Sequence, residues 1–279
     1  MTLPGFIGIG AHKAGTTWLY QMLAQNPSVW LPPIKEVHFF DKLNPTPELK
    51  RVRIKHFERV ADRIERSEKK KGSAGDSATK AAFLRSLAGD NMLTDEWYKS
   101  IFAHPDAAGK VSGEITPAYL DNATDVLPKI SEMLPTTKFV LLVREPLSRS
   151  LSQIRMAISR VGKTPETTED WEFYVKRLKQ NLRGSYKTSI PLWRSFFGPE
   201  RLLILPFGRL KHDPAGLLRE VEDFIGAERF AYESMTEQVH KTKDVEIPQW
   251  VRDKAEELVR PQKDFLIESL GQDFYDATR

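Results

Sequence analysis

Near its amino end the chain places a short apolar run closed by glycine, Phe6-Ile7-Gly8-Ile9-Gly10, directly before Ala11-His12-Lys13-Ala14-Gly15-Thr16-Thr17. Apolar residues at helical spacing follow, with Trp18, Leu19, Met22 and Leu23 on neighbouring faces. This order predicts a strand, a loop and a helix from Thr17 to Gln25. In the usual nucleotide-binding loop, G-x-x-x-x-G-K-[ST], backbone N–H groups wrap phosphates, a lysine follows the second glycine and the next hydroxyl holds magnesium. Here Thr16 stands at the lysine position and the cation is Lys13, inside the loop. A helix N-terminus behind such a loop adds its dipole and free N–H groups to the same anion. A glycine-rich loop by itself would serve equally well as a tight strand-to-helix turn; it is the order of strand, displaced lysine and helix that narrows the reading.

The rest of the chain repeats the strand-then-helix alternation. Lys138-Phe139-Val140-Leu141-Leu142-Val143 is continuously apolar and β-prone, as a strand buried on both faces of a parallel sheet must be. Pro146 suits the first turn of a helix running to about Arg160. Leu202-Leu203-Ile204-Leu205 precedes Pro206 and a helix from about Pro214 to Ile225 that Gly226 stops. The expected architecture is α/β, a single P-loop-type domain over residues 1–279 with a central parallel β-sheet flanked by helices. From about Glu48 to Asp90 the pattern changes: Lys50, Arg51, Arg53, Lys55, Arg59, Arg63 and Arg66 alternate with acids before Lys69-Lys70-Lys71-Gly72-Ser73-Ala74-Gly75. This predicts an inserted, charged amphipathic helix with a mobile tip, either a solvated face or a lid over a substrate site.

Composition excludes several classes. With no cysteine among 279 residues, the chain holds no disulfide framework and no thiolate metal site, and a reducing cytoplasm fits best. The residues before Phe6 leave no room for a signal peptide, and no run approaches the roughly 20 apolar residues of a membrane span. A net charge of +4 is too small to suggest a nucleic-acid partner and suits an anionic small molecule in a local basic pocket. Oligomeric state is not legible.

Further motifs carry a resemblance: Lys35-Glu36-Val37-His38-Phe39-Phe40-Asp41, Trp97-Tyr98, Gly113-Glu114-Ile115-Thr116-Pro117-Ala118-Tyr119-Leu120, Leu142-Val143-Arg144-Glu145-Pro146 with Arg149 and Ser152, and the layout from His240-Lys241-Thr242-Lys243 to Phe274. With the loop at residues 10–17, these resemble the sulfotransferases that use 3′-phosphoadenosine 5′-phosphosulfate (PAPS), in the branch of the heparan sulfate glucosaminyl enzymes and their bacterial relatives. The likeness covers nearly everything but the insertion. It implies transfer of a sulfuryl group from PAPS, without a metal, to a carbohydrate or small-molecule acceptor, leaving 3′-phosphoadenosine 5′-phosphate (PAP).

It also implies roles. Lys13 would stabilise the bridging oxygen as charge builds there. Ala14, Gly15, Thr16, Thr17 and Trp18 would hold the 5′-phosphate, Trp18 serving equally as core packing. Glu36 is the candidate general base, and His38 lies on its side of the chain if the segment is extended, either assisting or purely structural. Lys35 would bind an acidic acceptor or steady Glu36. Arg144, at a strand end, suits the 3′-phosphate through paired N–H donors, its alternative being an ion pair with Glu145; Ser152 adds a hydroxyl and Lys243 a cation. Two positions depart from the family: Ile115 stands where the 3-O-sulfotransferases carry lysine, and Lys243-Asp244 replaces a Lys-Gly pair. The rivals are a P-loop kinase and a non-catalytic nucleotide-binding protein.

Overall fold

The computed structural model describes residues 3–69, 75–180, 183–235 and 245–279. Five strands, β1 (Phe6–Gly10), β2 (Val29–Trp30), β3 (Val111–Ile115), β4 (Lys138–Val143) and β5 (Leu202–Pro206), form one sheet in the order β2-β3-β1-β4-β5. Every pairing is parallel. The helices are α1 (Thr16–Leu23), α2 (Pro47–Lys69), α3 (Gly75–Leu87), α4 (Asp95–Phe102), α5 (Ala118–Asp121), α6 (Ala123–Met133), α7 (Pro146–Val161), α8 (Thr168–Gln180), α9 (Tyr186–Phe196), α10 (Arg209–His212), α11 (Pro214–Ile225), α12 (Gln249–Leu270) and α13 (Gln272–Ala277). Parallel strands need crossovers, and the crossover helices cover both faces of the sheet. All of β1 and all of β4 after Lys138 are therefore buried. No described helix is long and apolar enough to cross a membrane.

The chain leaves β1 for β2 and β3 on one side and later returns to β4 and β5 on the other. The carboxyl ends of β1 and β4 thus flank the point where strand order reverses, the crevice in which open α/β sheets collect ligands. The loops leaving these two strands carry Lys13 and Arg144, and Ala11 N–H donates to Leu142 O at 2.9 Å to hold them together.

Strand β3 escapes an apolar-run search because Ser112, Gly113 and Glu114 interrupt it. Glycine is required at 113, since a Cβ there would lie 2.3 Å from the Phe6 ring. The insertion differs from its expectation. Instead of one helix and a tip, α2 and α3 form a packed pair, with Phe57, Ala61, Ala81, Leu84 and Leu87 buried. Arg85 ties α3 to α2 through Asp62 at 2.8 Å and Glu65 at 2.5 Å. The apolar positions are spread thinly enough among charges that the stretch reads as solvated. Residues 70–74 of the predicted tip lie outside the described residues.

Candidate active site

The loop after β1 turns through Lys13, which takes a left-handed φ of 66°, and Gly15, φ 83°, which starts α1. A Cβ at Gly15 would lie 2.3 Å from Leu210, so loop and α10 close only over a glycine. No side chain caps α1, which leaves its first-turn N–H groups, those of Thr16, Thr17 and Trp18, for an anion. Ala14 and Thr16 are buried and Thr17 is half-buried. Trp18 spends its only side-chain donor on Met235 O at 2.7 Å, so its indole pins the segment before residue 236, and only its backbone remains for a ligand. Among the described residues Lys13 has no carboxylate within ion-pair distance. Burial pushes its ammonium below the ordinary lysine value, and Arg144 and Arg160 push it further.

Arg144 reaches back from β4 to donate to Lys13 O at 2.9 Å, with its guanidinium 4.6 Å from the Phe207 ring centre. It makes no ion pair with Glu145, whose carboxylate instead caps α7 by accepting from Leu147 N at 2.9 Å and Ser148 N at 2.7 Å. Burial lowers the Arg144 value, and Arg149 and Arg155 act in the same direction. Neighbouring guanidinium groups thus disfavour the charges of Lys13 and Arg144, the condition that a bound anion relieves. Arg155, Arg160 and Phe207 carry no motif that sequence reading recognises. Ser152 lies half-buried on α7, one turn beyond Ser148, which lines a cavity of about 480 Å³ with Arg144, Phe207, Lys211, Lys263 and Arg279. Lys243 lies outside the described residues.

Glu36 and His38 meet, though not by the alternation of an extended strand. Both residues adopt left-handed φ, 68° and 55°, conformations costing a non-glycine residue on the order of 1–3 kcal/mol each. The turns bring His38 Nε2 to 3.3 Å from Glu36 Oε2, while His38 Nδ1 faces Asp41 Oδ2 at 2.9 Å. Lys35 Nζ lies 2.5 Å from Glu36 Oε1, the contact expected if it steadies Glu36. Burial alone would raise the Glu36 carboxyl, but His38 and Lys35 outweigh it and hold Glu36 well below the usual carboxylate range. Burial would likewise lower His38; its bonds to Asp41 and Glu36 outweigh that and raise it. Arg53, from α2, donates to Glu36 O at 3.1 Å and Val37 O at 2.9 Å, so the insertion braces this segment.

His12 joins the two halves. It precedes Lys13 and feels the charges of Glu36, Lys35 and His38, which sets residues 35–38 against the loop. Burial and Arg183 hold its imidazole neutral, down to about 3. Among the described residues no group of three carboxylate or imidazole ligands is placed to hold a metal ion.

A family model described as the sulfotransferase family matches residues 4–231. Human heparan sulfate glucosamine 3-O-sulfotransferase 6 is 28% identical over 145 residues, 48% of this chain and 40% of that protein. Human heparan sulfate glucosamine 3-O-sulfotransferase 3B1 is 30% identical over 143 residues, 48% of this chain and 35% of that protein. The match therefore spans less than half the length of these relatives. Among solved structures, a sulfotransferase from Alicyclobacillus acidocaldarius aligns over 100% of both chains with a TM-score of 0.68 and 19% identity. The sulfotransferase domain from the curacin biosynthetic pathway aligns over 94% of this chain and 98% of its own with a TM-score of 0.54 and 19% identity. At that identity the likeness is one of fold.

Proposed function

Because this chain belongs to the sulfotransferase family, we propose that it transfers a sulfuryl group from PAPS to a hydroxyl, less readily an amine, of a carbohydrate or small-metabolite acceptor, releasing PAP. The observation that carries this reading is Lys13, a half-buried cation without a counter-ion among the described residues, set in the loop before α1 beside Arg144, with the Glu36–His38 pair close enough to act on the charge of its neighbour His12. In the reaction the acceptor oxygen attacks sulfur while the bond from sulfur to the bridging phosphate oxygen breaks. The electron pair stays on the 5′-phosphate of PAP, where Lys13, the loop amides and the α1 dipole stabilise it.

The proton of the attacking hydroxyl passes to Glu36. A carboxylate held this low is a weak base at rest, so transfer is late, when the forming S–O bond has already made the hydroxyl acidic. His38 and Lys35 keep Glu36 ionised and aimed. Ala14, Gly15, Thr16, Thr17 and the Trp18 backbone hold the 5′-phosphate, and Arg144 with Ser152 the 3′-phosphate that distinguishes PAPS from ATP.

The test pairs binding with turnover. PAP and PAPS, but not ATP, should raise the melting temperature, and labelled PAPS should sulfate members of a panel of sugars and phenols in excess EDTA. Stabilisation by ATP with magnesium-dependent phosphoryl transfer would replace this reading with a P-loop kinase. PAP binding without transfer to any acceptor would leave a non-catalytic nucleotide-binding protein.

A further inference from the structure

The backbone that aims Glu36 and His38 is costly, so something must hold it, and the holder is visible in the core. Glu114 on β3 is 1% exposed, and its carboxylate accepts from three hydroxyls: Tyr98 at 2.7 Å and Tyr119 at 3.1 Å on Oε1, and Thr116 at 2.6 Å on Oε2. Burial pushes both phenols well above their ordinary values, so each keeps its single proton to donate. Tyr119 spends that proton on Glu114 and therefore presents a lone pair elsewhere. The group it meets is the Phe39 N–H, immediately after His38, at 3.0 Å. The two ring systems that Glu114 orients also grip the same segment: Tyr98 stacks on Phe39 at 4.5 Å and meets Phe40 at 5.0 Å, and Tyr119 meets Phe40 at 5.5 Å.

We propose that Glu114 is a positioning residue for the catalytic segment: by accepting the Tyr98 and Tyr119 protons it fixes the direction of a hydrogen-bond chain that ends at Phe39 N–H and holds the left-handed turns placing Glu36 against His38. Glu36 N–H on Ile115 O at 3.1 Å and Arg53 on the Glu36 and Val37 carbonyls anchor the other side of the turns. Phe39 N–H is thus the anchor point that depends on proton direction. Glutamine at 114 keeps shape and volume but takes the charge from the acceptor of both phenols, and the Thr116 hydroxyl must turn to accept from the new NH₂.

The role of Glu114 in turnover rests on the sulfuryl-transfer reading; its role in geometry does not, and the experiment separates them. Glu114→Gln and Tyr119→Phe would each be followed by titrating the His38 imidazole by NMR and by hydrogen exchange at the Phe39 amide. Glu36 and Asp41 face His38 and raise it, and Arg53 opposes them. Loss of the Glu36 contact should move the His38 midpoint down toward the ordinary histidine value, with Phe39 exchange at least tenfold faster. Turnover with PAPS should fall at least tenfold while PAP affinity stays within threefold. A His38 midpoint and Phe39 protection equal to wild type in both variants would overturn the proposal. If Glu114→Gln does not fold, Tyr119→Phe decides, because it leaves Glu114 with Tyr98 and Thr116. Should the wild type neither bind PAP nor transfer from PAPS, the functional reading fails and the two NMR readouts still test the positioning.

Discussion

Replacing Arg144 by alanine should weaken the binding of PAP far more than that of adenosine 5′-monophosphate, which lacks the 3′-phosphate. Hydrogen bonds to charged groups contribute roughly 1.5–3 kcal/mol, equivalent to about a 10- to 150-fold change in Kd. The structure argues for the upper half of that range. Arg144 is already desolvated by burial and already crowded by Arg149 and Arg155, so the fold carries the cost of placing the charge before ligand arrives. Arg144 also supports the loop through Lys13 O, and losing that support would weaken both ligands alike. The informative quantity is therefore the ratio of the two losses, measured by calorimetric titration of PAP and adenosine 5′-monophosphate at one ionic strength, since surface screening differs with ligand charge. A PAP loss at least tenfold larger is expected. Equal losses for the two nucleotides would refute the 3′-phosphate assignment and reduce Arg144 to a support of the loop.

Lys13→Ala should lower kcat by roughly 10²–10³, the effect of removing one preorganised donor to developing charge, with PAP Kd changed only a few-fold; single-turnover transfer with EDTA present measures both. Glu36→Gln should lower turnover and leave PAP affinity nearly unchanged, and turnover within twofold of wild type would remove Glu36 as the base. Leu84→Ala, in the buried seam between α2 and α3, should destabilise the protein by roughly 2–4 kcal/mol in denaturant titration, whereas Arg85→Ala on the outside of the same seam should change the midpoint far less. Because His38 is raised on folding, its ion-pair contribution is fully present below about pH 6.5 and disappears as pH rises through the folded value. His38→Gln should accordingly flatten the fall in melting temperature above that pH.

β4, marked by its apolar run, and α11, bounded by Pro214 and Gly226, were legible; β3 and the α2–α3 pair were not. The sequence delimits β4 to the residue and α11 with its Gly226 stop, because one is apolar from Phe139 onward and the other ends on a glycine at φ 81°. β3 is hidden because its Glu114 is solvated by three side-chain hydroxyls instead of water, and all three donors, Tyr98 on α4, Thr116 just past the strand end and Tyr119 on α5, lie outside the strand. The α2–α3 pair is hidden because Phe57, Ala61, Ala81 and Leu84 form a narrow stripe within a sequence dominated by charge. Of the candidate residues, Lys13, Glu36, His38 and Arg144 are named by motif, whereas Arg160, Phe207 and Arg53 come beside them through tertiary proximity that no local pattern encodes.

The pair at 36 and 38 shows why a correct neighbourhood can be reached by the wrong geometry. Alternation along a strand would have put the two side chains on one face at no backbone cost, but free to fluctuate with the strand. Left-handed turns at both residues are expensive, and the expense is met by bonds at Ile115 O, Arg53 and Tyr119. A segment held this way has few alternative conformations, which keeps His38 between Glu36 and Asp41. The consequence is chemical: His38 and Lys35 hold the Glu36 carboxyl below the ordinary carboxylate range, so Glu36 stays ionised as pH falls through that range, and the pH dependence of turnover should then follow His38 and the acceptor. An acid limb near the ordinary carboxylate value in the kcat profile would show that Glu36 titrates freely and that the turns do not hold.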